Sequence, residues 1–281
     1  MLRLIRARLR QMALTLVILS ACAYGLIGLM PGDPIDLAIA ADPRLTAEDA
    51  ARLRALHGLD QPLHARYLAW VSMVLRGEFG FSRLFAQPVA ALLGPALISS
   101  LLLLGGALLL AIGIGVGLGA LAALRPRLAP FTDALAVLGQ AMPSFWLGIL
   151  LIILFAVTLG WLPAGGAPDG GGALAVLRHL ALPVATLAIA HLAAYLRHAT
   201  ASLTAALNDP WIRSARARGA PEHVVLWRHA FPNAAVPLLQ VAALDAGALV
   251  GGALVTETVF ARPGMGKLIY DAVMGNDYNL A

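Results

Sequence analysis

Polar side chains are scarce in this chain, so those able to do chemistry can be weighed one by one. Ser99, Ser100, His191 and Asp245 are the groups a nucleophile–base pair would draw on, and their spacing makes no recognisable catalytic motif. His179 and His191 lie apart without the His-Glu-x-x-His pattern of a zinc site, so they read as interhelical hydrogen-bonders, with a pore-facing role left open. No metal site is expected. The single cysteine, Cys22, permits neither an internal disulfide nor a Cys-rich metal centre. Gly113, Gly115, Gly117 and Gly119 alternate, but the preceding strand and following acid of a dinucleotide loop are missing. Gly113/Gly117 and Gly115/Gly119 read instead as small-residue helix-packing pairs. Asp245 is the one acid deep inside an apolar run, where a carboxylate is costly and must face the bundle or a wet cavity. It could receive an amino group or a cation, or hydrogen-bond to a neighbouring helix.

The elements holding these residues are membrane spans. Apolar residues make up 60% of the chain and charged ones 12%, with a mean hydropathy of +0.81, far outside the soluble range. Uncharged runs cover Gln11–Met30, Leu84–Leu124 and Ala134–Pro168, and each exceeds or matches the ~20 apolar residues a helix needs to cross the hydrocarbon. Shorter runs at His179–Leu196 and Asn233–Thr256 bring the expected spans to five. The fold class is all-α, a polytopic helical membrane protein. Arg3, Arg6, Arg8 and Arg10 precede the first run and hold the N-terminus in the cytoplasm by the positive-inside rule. A signal peptide is disfavoured because the apolar run continues through Met30, although Leu19-Ser20-Ala21-Cys22 matches a lipobox. The net charge of +5 comes from arginines flanking spans, which argues against nucleic-acid binding and for contact with lipid.

Between the first two spans, Thr46-Ala47-Glu48-Asp49 predicts a capped helix ending at Gly58. A second helix is expected from about Pro62 to Arg76, with Leu63, Tyr67, Trp70, Val71 and Val74 on one face. Both would lie on the outer surface. The third span carries Gln140-Ala141-Met142-Pro143, and Pro143 is either a cavity-lining hinge or a plain kink. Gln140, Pro143, His191 and Asp245 are the candidate translocation-path residues.

Residues 208–232 are the polar interruption. Asp209 is expected to cap a helix that Pro210 opens, and Gly219 to stop it after Arg218. Pro221 opens a second helix with Glu222 in its first turn, where negative charge suits the dipole. Pro232 marks re-entry into the membrane. The pattern is two short helices joined at a glycine corner.

That segment resembles the cytoplasmic motif of ABC-importer permeases: Glu-Ala-Ala, three residues, Gly, nine residues, Ile-x-Leu-Pro. Gly219 and Pro232 fall at its most restrictive places, Arg213-Ser214-Ala215 at its start, and His229-x-Phe231 before the proline. Trp211 to Gly219 is similar to the dipeptide, oligopeptide and nickel permease branch, as are Pro31-Gly32-Asp33-Pro34, Gly58-Leu59-Asp60-Gln61-Pro62, Met142–Trp146 and Glu257–Gly266. The resemblance runs the length of the chain. It implies a type I ABC-importer permease fold, with an N-terminal span and periplasmic segment over 1–94 and a permease domain over 95–281. It also implies a multi-pass inner-membrane protein forming half of a peptide pathway. Its partners would be a second permease, two cytoplasmic ATPases that carry ATP and Mg, and a periplasmic or lipid-anchored binding protein. No Walker-type loop occurs in the sequence, so no cofactor is expected in this chain and it is not an enzyme. Asp209, Pro210, Arg213, Ser214, Ala215, Arg216, Arg218, Gly219, Glu222, His229 and Pro232 would form the ATPase-coupling segment. Glu257, Arg262, Pro263 and Gly264 would meet the binding protein, with a neighbouring loop the alternative contact for Glu257.

Permeases of this kind have six spans, so a sixth is expected to be missing after Asn276–Ala281. Nickel or another small solute is the alternative cargo on the same machinery. An ion-gradient transporter would show internally repeated broken helices, which the sequence lacks.

Overall fold

The computed structural model describes residues 2–28, 61–168 and 170–281, and those residues are helical apart from turns and one short hairpin. The expected capped helix from Thr46 to Gly58, and Pro31–Pro34, lie outside the described residues. The chain divides into two compact units, Met1–Gly94 with Ile269–Ala281, and Pro95–Leu268. Residues from Ile269 onward thus group with the first unit, whereas the sequence reading carried the second domain to residue 281.

In the first unit, helix α1 (Leu2–Gly28) takes in both the arginine-rich start and the first apolar run. Helix α2 (Leu63–Leu75) packs on it through the expected face. The Ser20 and Tyr67 hydroxyls are 2.8 Å apart, and the Tyr24 ring lies 5.7 Å from Tyr67 and 5.6 Å from Trp70. A hairpin follows, β1 (Phe81–Ser82) antiparallel to β2 (Gln87–Pro88). The Asp277 carboxylate pins it, accepting from the buried Ser82 hydroxyl at 2.6 Å and the Leu84 amide at 2.9 Å.

The second unit holds most of helix α3 (Val89–Leu124), then α4 (Ala129–Ala141), α5 (Ser144–Leu151), α6 (Gly172–Leu207), α7 (Pro210–Ala217), α8 (Glu222–Val224) and α9 (Phe231–Val259). Helix α10 (Met265–Met274) begins in this unit. Helix α6 is the hub, packing against α4, α5 and α9. Its contact with α3 is set by glycine: a side chain at Gly115 would strike Tyr195, and one at Gly119 would strike Ala199. Close backbone approach is what small residues give a helix pair in lipid. Gly113 and Gly117, expected to act alike, have nothing within 4 Å of where a side chain would begin.

The third span is broken rather than kinked. Met142 is extended, Pro143 caps α5, and the two halves meet at 97°. Pro143 accounts for the interruption, because proline disfavours helical geometry in the residue before it. A π-wound stretch, Ile152–Thr158, continues α5. Among the described residues, three helices (α1, α3 and α6) are long and apolar enough to cross a membrane, and the bent pair counted as one makes four. The fifth expected span is covered by α9, whose 29 residues extend about 44 Å.

Candidate functional site

The polar corner begins where α6 ends. Asp209 has the extended backbone of a cap residue (φ −62°, ψ 145°), but its side chain makes no capping hydrogen bond, contrary to expectation. Pro210 lowers the need for one, since it removes an amide that would lack a partner. Helix α7 then runs to Ala217, with Arg218 as the cap rather than the last helical residue. Gly219 turns left-handed at φ +81°, and its amide donates to the Arg216 carbonyl at 2.9 Å. An L side chain at 219 would meet nothing within 4 Å, so handedness rather than space demands glycine.

Pro221 caps α8, which passes without a break through a π-wound turn, Val225–Ala230, into α9. Pro232 therefore sits in the first turn of a continuous helix rather than at a fresh start. Its ring cannot accept the usual position of the carbonyl four residues back, and the widened turn before it relieves that clash.

Burial divides the corner into two faces. Ile212, Ala215, Val225, Leu226 and Ala230 are buried, and most of them share one apolar core with Val116 and Ala120 of α3, Leu203 of α6 and Leu238 of α9. Pro210, Arg213, Ser214, Arg218 and Gly219 are exposed, while His229 is half-buried. Ala215 thus points inward. Arg216 does not simply project outward either: it grips Glu222 with two hydrogen bonds, 2.8 and 3.2 Å, across the corner. The Arg216 hydrogen bond lowers the Glu222 carboxyl below its ordinary value, against opposing desolvation, and the same hydrogen bond raises the Arg216 guanidinium. Sequence reasoning missed this pair. Its six-residue spacing straddles a glycine turn and matches no helical periodicity.

Of the translocation-path candidates, the fold brings two together. His191 Nδ1 of α6 lies 3.3 Å from Asp245 Oδ2 of α9. Tyr195, one turn along α6, is fully buried and its hydroxyl faces Asp245, yet it lies outside hydrogen-bond geometry with any protein group described. Gln140 and Pro143 are exposed at the break of the third span. His179 Nδ1 pairs instead with the Ala175 carbonyl of its own helix at 2.9 Å. Among the described residues, no three His, Cys, Asp or Glu side chains gather as a metal site.

The last turn of α9 and the turn after it correct the expectation of a binding-protein contact for Glu257, Arg262 and Gly264. All three are buried, and only Pro263 of the four is exposed. The Glu257 carboxylate accepts from the Ser100 hydroxyl at 2.5 Å and the Lys267 amide at 3.0 Å. Ser100 in turn accepts from the Met265 amide at 2.8 Å, so one carboxylate and one hydroxyl cap the start of α10. Desolvation lowers the Arg262 guanidinium, while the charge of Glu257 raises it. A side chain at Gly264 would run into the Glu257 carboxylate, and one at Gly266 into the Leu254 backbone. The sequence shows these residues as a motif at a span's end, and the structure shows that the motif closes on itself.

Long apolar helices around a core that carries a polar helical corner define a helical membrane protein. The profile of the binding-protein-dependent transport system inner membrane components matches residues 115–281, and that of their N-terminal region matches residues 1–89. The chain belongs to this family, the inner-membrane components of ABC importers. It is 37% identical over 94% of its length to a Brucella ovis protein named as a peptide permease, covering 84% of that protein. It is 34% identical over 88% of its length to the oligopeptide transport system permease AppB of Bacillus subtilis, covering 80% of it. The glutathione transport system permease GsiC of Salmonella paratyphi A is 35% identical over 99% of the chain and 89% of its own length.

Proposed function

We propose that this chain forms half of a peptide-conducting pathway, driven from the cytoplasm through residues 208–232. The relatives named for peptides, oligopeptides and glutathione support the cargo class. The partners would be a second permease, two ATPases that hold ATP and Mg, and a binding protein delivering cargo from outside. The arginines at 3, 6, 8 and 10 favour a cytoplasmic N-terminus.

The two-faced corner is the observation that carries the mechanism. Its inner face is locked into the core formed by the ends of α3, α6 and α9, and its outer face presents Arg213 and Arg218 to a partner. A well-packed core transmits displacement instead of absorbing it. An ATPase that closes beneath the corner therefore moves the spanning helices as a body. Of the four residues expected to meet a binding protein, Pro263 is the exposed one.

The test uses the assembled transporter in liposomes with Gly219→Val. A β-branched residue at φ +81° is strained, so the corner changes shape while the core face stays apolar. ATP hydrolysis should separate from peptide uptake, or the ATPases should fail to co-purify. Full uptake by an intact complex would overturn the coupling role.

A further inference from the structure

Asp245 and His191 each sit midway along their helices, in segments otherwise apolar. A pair serving only to join α6 to α9 would be closed off and fully satisfied, as buried polar groups normally are. This one is neither. The His191 and Asp245 side chains remain 26% and 20% exposed, and their contact is at the long end of a hydrogen bond. Beside them, the buried Tyr195 hydroxyl faces Asp245 and makes no hydrogen bond among the described residues. The backbone there is rigid, because Tyr195 packs against Gly115 of α3 and lies in a cluster with Ala111 and Ala188.

With His191 Nδ1–H donating to the Asp245 carboxylate, the neutral imidazole keeps Nε2 as its acceptor, and the carboxylate's remaining lone pairs and the Tyr195 phenol oxygen accept as well. Three acceptors around one negative charge match an ammonium group, which carries three N–H donors and one positive charge. A divalent metal is poorly served, since no third His, Cys, Asp or Glu joins the pair among the described residues. We propose that Asp245, His191 and Tyr195 form a station inside the membrane that receives the protonated α-amino group of a peptide in transit. The proposal rests on the peptide-permease reading above. It adds what that reading lacks, the chemical feature of the cargo that the pathway itself recognises.

The test is uptake of a neutral-side-chain tripeptide by the complete transporter, with its ATPases and binding protein, in liposomes. Asp245→Asn should cut uptake about tenfold, the loss expected for one charged hydrogen bond, while Asp245→Glu keeps most of it. Tyr195→Phe removes an oxygen that makes no hydrogen bond among the described residues, so assembly should not change, and uptake should fall about threefold. A diazirine beside the peptide's amino group should, on illumination during turnover, mark residues 241–247. The same group at the carboxyl end should mark other residues. The station is refuted if Asp245→Asn transports at the wild-type rate, if Tyr195→Phe is silent, or if the amino-end label falls elsewhere. Equal loss for Asn and Glu with poor assembly would make Asp245 a helix-joining residue only. A wild-type complex that carries no peptide would instead refute the permease reading on which the station rests.

Discussion

The two ends of α9 handle charge in opposite ways. Before the helix, Arg216 and Glu222 pair across a corner open to solvent, with side chains 40% and 57% exposed, and the turning glycine has empty space around it. At its far end, Glu257 in the last turn of α9 is fully buried, Arg262 just beyond it nearly so, and Gly264 is pressed against the carboxylate. Both ends carry a glycine with a proline close by, Gly219 with Pro221 and Gly264 with Pro263. One end keeps its polar surface available to something outside the chain. The other uses its polar groups to hold the chain to itself. A motif thus marks a place where geometry matters, and burial decides whether that geometry serves a partner or the fold.

Breaking this contrast should cost most at the buried end. Glu257→Ala leaves Arg262 as an uncompensated buried charge and strips the Ser100 hydroxyl and Lys267 amide of their acceptor. Each buried donor left without its acceptor costs about 1–3 kcal/mol, and two are lost together, so purified protein should show a much lower thermal midpoint and yield. Gly264→Ala should cost less, about 1–3 kcal/mol, as overpacking against Glu257 forces a local shift. Glu257→Gln combined with Gly264→Ala should be non-additive in the same thermal assay, because the two sites touch.

At the open end, Gly219→Asn should leave stability and coupling near wild type in paired uptake and ATPase assays, since Asn tolerates left-handed backbone. Glu222→Gln should be the mildest change, within the 0.2–1 kcal/mol or so of an exposed ion pair. Its pH signature has a definite sign. The folded carboxyl is lowered from 4.5, so its contribution is complete above 4.5 and disappears as the pH falls through the lower folded value. Thermal midpoints of wild type and Glu222→Gln should differ slightly at neutral pH and converge in acid.

Much of this was legible in the sequence, for physical reasons. Spans announce themselves because lipid leaves the backbone no partner but itself, so uncharged runs near 20 residues have few other uses. The corner was legible because Pro210, Gly219 and Pro221 each restrict the backbone locally. The 97° break was underestimated as a kink, since the angle depends on how α4 and α5 pack against α6, not on Pro143 alone. The Arg216–Glu222, His191–Asp245 and Ser100–Glu257 pairs join residues that no local period connects. Burial of Glu257 was likewise invisible, because nothing in a terminal acid's type distinguishes a capping carboxylate from a surface one.

Gly219 carries one more consequence, a stereochemical one. With no neighbour to crowd it, the position selects neither for size nor for polarity but only for a mirror-image backbone. A D-alanine placed there by semisynthesis prefers positive φ, so it should stiffen the corner where L-alanine would strain it. Chirality at a single atom, with composition held constant, would then decide whether the two short helices meet at their working angle.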